Sequence, residues 1–192
     1  MKVAIGVLSS NGWLCHDYVM SLVSMIGFTR TQVPLQLVFV RASSSLVANT
    51  RNQCVKAALE TECDKLLMID SDMTFPHDTL VRLLAHDRAI VGGVYMRRGG
   101  TGEIIGVPLE SGDYTGLTEM RQIGTGCILI SMDVFRDLPK PWFRCEADES
   151  IGENVGEDVT FCRMVRERGW RVWADIDLPL GHIDQRILEC PK

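Results

Sequence analysis

Two carboxylates separated by a single residue close a run of large apolar side chains, Leu66-Leu67-Met68-Ile69-Asp70-Ser71-Asp72. Four such side chains in succession predict a strand buried on both faces. Acids that emerge at its carboxyl end stand where open α/β sheets bind their ligands. The Asp-x-Asp spacing suits a hard divalent cation, Mn2+ or Mg2+, bridged to phosphate oxygens. Burying both acids unpaired would be expensive, so a cation or a basic partner is implied. The same triplet also reads as a helix-capping turn before Thr74-Phe75-Pro76-His77, and its position behind an apolar strand favours the site.

Other residues could complete such a site. Gly156-Glu157-Asp158 opens a predicted helix, where acids are favoured by the dipole; one of them could equally take a proton from a hydroxyl. His182, in Leu180-Gly181-His182-Ile183, leaves a strand at a glycine and could supply an imidazole ligand, or simply be exposed. Ser9 and Ser10 follow the first apolar run, placed to grip a base or phosphate. Arg51, Arg97 and Arg98 could neutralise a diphosphate, or be solvated surface arginines. There is no GxGxxG and no GxxxxGK[ST], which disfavours a Rossmann dinucleotide site and removes a P-loop enzyme.

The elements that must position these groups alternate through the first half. Val3 to Leu8, Leu35 to Val40, Lys65 to Asp70 and Ala89 to Tyr95 read as strands. His16 to Gly27 reads as a helix stopped by its glycine. A second helix is capped by Asn49 or Thr50, with Val55, Ala58 and Leu59 on one stripe; a third carries Leu80, Leu83 and Leu84. Residues 1–95 therefore predict β-α-β-α-β-α-β, a parallel sheet with right-handed crossovers. Residues 97–123 predict loops and a short hairpin, and Cys127 to Ser131 a strand. The acid-rich stretch 144–156 predicts a mobile loop. Asp158 to Arg168 predicts a helix capped by Gly169, and Arg171 to Leu178 a final strand.

The length of 192 residues fits one domain with a sizeable core. Apolar residues at 46% exclude general disorder, and a net charge of −5 argues against a protein that coats a nucleic-acid backbone. Seven cysteines without a CxxC pair read as reduced, buried thiols of a cytoplasmic protein. The apolar start is too short for a signal peptide, and no run approaches the ~18 residues of a membrane span. Association into a homo-oligomer is left open.

In order and spacing, these pieces resemble the GT-A nucleotide-sugar glycosyltransferases, in particular the family-2-like group with its short bacterial and phage members. The resemblance rests on Ala48 to Asn52, Leu67 to Asp72, Gly124 to Cys127 with Met132 to Phe135, Gly156 to Asp158 with Phe161-Cys162, and Gly181 to Ile183. It implies a single-domain α/β GT-A fold, mostly parallel, with a nucleotide-binding half (1–95) and an acceptor-side half (96–192), and transfer of a sugar from a nucleotide-sugar donor to a hydroxyl acceptor with inversion. Asp70 would contact ribose or metal, Asp72 the metal directly, and His182 would complete the Mn2+ or Mg2+ site. Asp158, or second to it Glu157, would be the base. Ser9, Ser10, Ser71, Arg51, Arg97 and Arg98 would hold the donor, the stretch 144–156 would close over it, and Gly124 to Cys127 would floor the acceptor site. A nucleotidyltransferase, or a nucleotide-sugar-binding module without turnover, are the alternatives.

Overall fold

The computed structural model describes residues 1–99, 102–112, 114–148 and 152–184, apart from the side chains of Asp148 and Glu153. In chain order the first half runs β1 (Lys2–Ser9), α1 (His16–Gln32), β2 (Gln36–Ser43), α2 (Val47–Glu60), β3 (Lys65–Asp70), β4 (Met73–Thr74), α3 (Thr79–Ala85), β5 (Ile90–Gly93) and β6 (Tyr95–Met96). The second half adds β7 (Ile104–Pro108), β8 (Leu117–Ile123), β9 (Cys127–Ser131), α4 (Met132–Asp137), β10 (Glu146–Asp148), β11 (Glu153–Val155), α5 (Glu157–Glu167), β12 (Val172–Asp175) and β13 (Gly181–His182).

Among the described residues, nine strands form one sheet in the order β2-β1-β3-β9-β5-β12-β8-β7-β6. Strands β9, β8 and β6 oppose the other six, so the sheet is mostly parallel but mixed. The expected neighbours β3 and β5 do point the same way. They are separated, however, by β9, which returns from the second half and pairs antiparallel with both.

Alternation along each strand sorts the core into two layers. Leu66 and Met68 face α2, α4 and α5, while Leu67 and Ile69 face α1 and α3. All four are fully buried, and each such burial is worth roughly 1.5–3 kcal/mol, which holds the end of β3 firmly in place. Behind the start of α5, Phe143 stacks on Phe161 at 4.6 Å, with Phe135 and Trp142 beside them. Asn52 straps α2 to this cluster: its Nδ2 donates to the Phe143 carbonyl and its Oδ1 accepts the Phe143 N–H.

Several boundaries differ from expectation. Helix α1 runs five residues past Gly27, which is exposed and meets nothing, because Tyr18, Leu22, Met25 and Thr29 keep one continuous buried stripe. Helix α2 begins at Val47, so Asn49 and Thr50 lie inside it rather than capping it; the Thr50 hydroxyl donates back to the carbonyls of Ser44 and Leu46. The buried stripe of α2 is Arg51, Cys54, Val55 and Ala58, with Leu59 at its margin. Residues 97–123 contain a full strand of the main sheet, β8, and not only a hairpin. The stretch 144–156 carries the hairpin β10–β11, with residues 149–151 outside the described set. Gly169 does cap α5: at φ +84° it lets the Gly169 N–H reach Arg166 and the Trp170 N–H reach Val165, a Schellman arrangement. Of the cysteines, Cys54, Cys63, Cys127 and Cys162 are buried, but Cys145 is exposed and Cys190 lies outside the described residues.

Candidate functional site

From β1 the chain passes outward to β2 and then back across to β3 on the other side of β1. The connecting helices α1 and α2 lie on opposite faces. Strand β1 is thus a topological switch point, and such a sheet opens a crevice at its carboxyl edge. A cleft of about 270 Å³ lies there, lined by Ser9, Ser10, Ser44, Ser45, Thr50, Arg51, Asp70, Ser71, Asp72 and Arg98. The Leu8–Asp70 register fixes how the ends of β1 and β3 meet beside it.

Asp70 continues the parity of Leu66 and Met68, so its carboxylate points toward α2. There it meets Arg51, whose side chain is only 3% exposed. Nη1 and Nη2 donate to Oδ1 and Oδ2 of Asp70, both at 2.9 Å. Nε donates to Oε1 of Glu157 at 3.2 Å, and Nη1 also to the Thr125 carbonyl at 3.2 Å. Burial by itself would weaken the guanidinium's hold on its proton; Asp70, and after it Glu157, outweigh that and raise its pKa. Arg51, expected to grip a diphosphate, therefore spends its donors on β3, α5 and the loop before β9, tying α2 to all three. It is a clasp under the site. A charged residue on the stripe of Cys54, Val55 and Ala58 was the signal that it is buried and needs acidic partners.

Asp72 lies beyond the end of the strand and takes a different course. Strand β13 pairs with β4, and the Ile183 N–H donates to the Asp72 carbonyl at 2.8 Å. This brings Nε2 of His182 to 3.4 Å from Oδ2 of Asp72. The other ring nitrogen, Nδ1, sits 3.0 Å from the Met96 carbonyl. A carbonyl only accepts, so Nδ1 carries a ring proton, and Nε2 is the nitrogen turned toward Asp72. One carboxylate oxygen and one imidazole nitrogen, beside an open cleft, could together hold a divalent cation. Asp70, expected as a third ligand, has both oxygens on Arg51. Among the described residues no three acidic, histidine or cysteine side chains form a ready metal cage.

Glu157 and Asp158 occupy the first turn of α5, as expected. Glu157 faces Arg51. Asp158 lines neither of the clefts at Asp72; its Oδ1 accepts the Val159 N–H at 2.8 Å. Its pKa is raised, mainly by burial and then by the neighbouring Glu157. Close by, the buried Tyr95 packs edge-on to His182 and accepts the Gly126 N–H at its hydroxyl, 3.0 Å away. A Cβ at Gly126 would stand 2.5 Å from that hydroxyl oxygen, and one at Gly124 would also strike it. The loop expected to floor an acceptor site is thus filled by Tyr95. The Gly126 carbonyl in turn accepts the Asp70 N–H at 2.9 Å.

The remaining expectations divide. Ser71 and the exposed Ser10 line the first cleft and also a second one, of about 500 Å³, that passes Asp72 and Arg98 toward Trp13 and Ile183. The Ser9 hydroxyl is occupied locally, donating to the Trp13 carbonyl and accepting the Gly12 N–H. Arg98 lines both clefts and places Nη1 3.3 Å from Oδ2 of Asp72. Arg97 is not part of the site: it pairs with Glu103 in solvent. Ser44 and Ser45 entered the cleft unforeseen, because a polar loop after a strand carries no signal of what it faces.

No protein-family model matches the sequence, and no curated protein matches it. Solved structures do resemble the fold. A197 from STIV superposes with a TM-score of 0.63 at 16% identity, over 100% of this chain and 99% of the other. GalNAc-T7 with UDP, GalNAc and Mn2+ gives 0.59 at 12% identity, over 95% of this chain and 44% of that one. The inositol-1-phosphate CTP transferase from T. maritima gives 0.55 at 13%, over 95% and 89%. At these identities the likeness shows the fold: an α/β domain of the GT-A type, with a central sheet flanked by helices.

Proposed function

We propose that the chain is a glycosyltransferase that moves a sugar from a nucleoside-diphosphate donor to a hydroxyl acceptor. The observation that carries this reading is the meeting of Asp72 with His182, residues 110 positions apart, beside the cleft at the switch point of a GT-A-type sheet. The cleft at the ends of β1, β2 and β3 would hold the nucleoside, with Ser10, Ser44, Ser45 and Ser71 as its polar contacts. Asp72 and Nε2 of His182 would hold Mn2+ or Mg2+; such a cation supplies positive charge to a departing diphosphate. Arg51 would keep Asp70 and Glu157 fixed at the floor. Asp158, with its elevated proton affinity, would take the proton from the acceptor hydroxyl as it attacks the anomeric carbon. Attack opposite the leaving group inverts that carbon. Tyr95, locked to Gly126, would keep the His182 ring in its plane of approach.

A nucleotidyltransferase is the second reading, favoured by the likeness to the inositol-1-phosphate CTP transferase. The two differ in product: a glycosyltransferase releases a nucleoside diphosphate, a nucleotidyltransferase pyrophosphate. The test is a panel of nucleotide sugars and nucleoside triphosphates, each with and without Mn2+, read by thermal shift and by product release. A nucleotide sugar should stabilise the protein in the presence of the metal, and Asp72→Ala should remove the metal-dependent part. If no sugar nucleotide or nucleoside diphosphate stabilises the protein with metal present, the reading fails.

A further inference from the structure

We propose that Arg98 is a tethered cation that occupies Asp72 until a divalent metal arrives, and that the displaced guanidinium then pairs with the donor's phosphates. The inference rests on the transferase reading and adds a step to it. Two nitrogens from different parts of the chain converge on one oxygen: Arg98 Nη1 at 3.3 Å and His182 Nε2 at 3.4 Å from Oδ2 of Asp72. That oxygen is also the one that faces the imidazole, so a metal held by both would stand directly against the Arg98 guanidinium. A guanidinium held against a divalent cation is repelled.

The two arginines of the site are unequal in this respect. Arg51 is buried and bound by four hydrogen bonds, so it stays. Arg98 is 58% exposed and holds Asp72 by one long contact, which costs little to break. It also sits where departure is cheap. Strand β6 ends at Met96, whose carbonyl holds His182, and the Arg97 N–H pairs with the Glu103 carbonyl across the hairpin to β7. Arg98 is the first residue beyond that rung, followed by Gly99 at φ +95°. The side chain can swing without disturbing the backbone that orients the imidazole. Because Arg98 lines both clefts, the space it swings into is the space a diphosphate bridged to Asp72 would fill. An arginine fork matches phosphate oxygens. The device keeps Asp72 neutralised in the empty protein and turns the same charge onto the ligand when the metal enters.

The experiment measures free Mn2+ by electron paramagnetic resonance in titrations of the nucleotide-free protein. Arg98→Ala should bind Mn2+ about two- to fivefold more tightly than wild type, the fold-change of an exposed ion pair. Arg98→Lys should bind it nearly as wild type does, and Asp72→Asn should lose the site. At saturating Mn2+, Arg98→Ala should bind inorganic pyrophosphate more weakly than wild type. Equal Mn2+ affinity in wild type and Arg98→Ala, with loss in Asp72→Asn, would overturn the role of Arg98 and leave the transferase reading standing. Unchanged pyrophosphate binding would overturn the hand-over to phosphate. Binding of Mn2+ that is indifferent to Asp72→Asn would overturn both proposals.

Discussion

Replacing Arg51 by alanine should damage the fold more than the ligand site. Its guanidinium is the shared partner of Asp70, Glu157 and the Thr125 carbonyl. Removing one partner of a buried ion pair costs about 3–5 kcal/mol, because the other charge is left without its neutraliser. Asp70 keeps 27% side-chain exposure and Glu157 13%, so water partly relieves both, and the lower end, about 3 kcal/mol, is the fair expectation. For a chain of this length each kcal/mol moves the melting temperature by roughly 2–4 °C, which gives a drop of about 6–12 °C. Arg51→Lys should fall between, since an ammonium cannot span two carboxylates and a carbonyl with fixed fork geometry. In a double-mutant cycle, Arg51→Met with Asp70→Asn should cost less than the sum of the two changes. Thermal and urea denaturation read all of these, followed by nucleotide binding on the variants that fold. The reasoning is refuted if Arg51→Ala melts within about 1 °C of wild type while losing nucleotide affinity. Arg51 would then be a ligand-binding group and not a clasp.

Two further outcomes follow from titrating groups. Burial, and then Glu157, raise the pKa of Asp158. A carboxyl raised by folding stabilises most below the ordinary aspartate value of about 3.9 and loses that contribution as pH climbs through its folded value. Asp158→Asn should therefore be more stable than wild type at neutral pH and no different in strong acid, while retaining donor binding and losing transfer; urea midpoints at two pH values decide it, and an unstabilised variant at neutral pH would sink the idea. Asp175 has the opposite sign. Despite its burial, hydrogen bonds from His86 and Arg82 lower its pKa, so its contribution is present above the ordinary aspartate value and lost as pH falls through the folded one. Asp175→Asn should cost about 2 kcal/mol at neutral pH, below the buried-pair range because Arg82 is one-third exposed, and should flatten the acid limb of the stability profile; an acid limb identical to wild type would contradict this.

What was legible in the sequence was whatever a short window can encode. Strand β3 was readable because four consecutive apolar residues have no soluble alternative at that length. The order of strands was not, since Cys127 to Ser131 is buried on both faces whichever way it runs, and only the tertiary fold places it between β3 and β5. The sequence points to an end of α1 at Gly27, yet the helix continues, because a glycine facing solvent costs only about 1 kcal/mol, less than the buried stripe of α1 returns. The chemistry divides in the same way. Residue types and order pointed to Asp72 and His182, which the fold does bring together. Arg51 and Arg97 were assigned by type alone, and type cannot separate a buried clasp from a solvent-facing ion pair. For Arg51 the helical stripe could have done so.

The Asp-x-Asp triplet looks like one device and is two. Asp70 is the last residue of β3 and inherits the direction of Leu66 and Met68, into the layer of α2 and α5. Its carboxylate is therefore committed to Arg51 by the pleat of the strand, and its backbone N–H to Gly126. Asp72 is past the strand's end, where the pleat no longer dictates direction, and its backbone carbonyl is held by Ile183 instead. That bond presents its carboxylate to His182 and Arg98 at the mouth of both clefts. The acid that the core controls is neutralised permanently by a buried arginine. The acid past the strand's end faces an exposed arginine and an imidazole. A spacing of two residues thus lets one carboxylate anchor the floor while the next, past the strand's end, stands part-exposed beside both clefts.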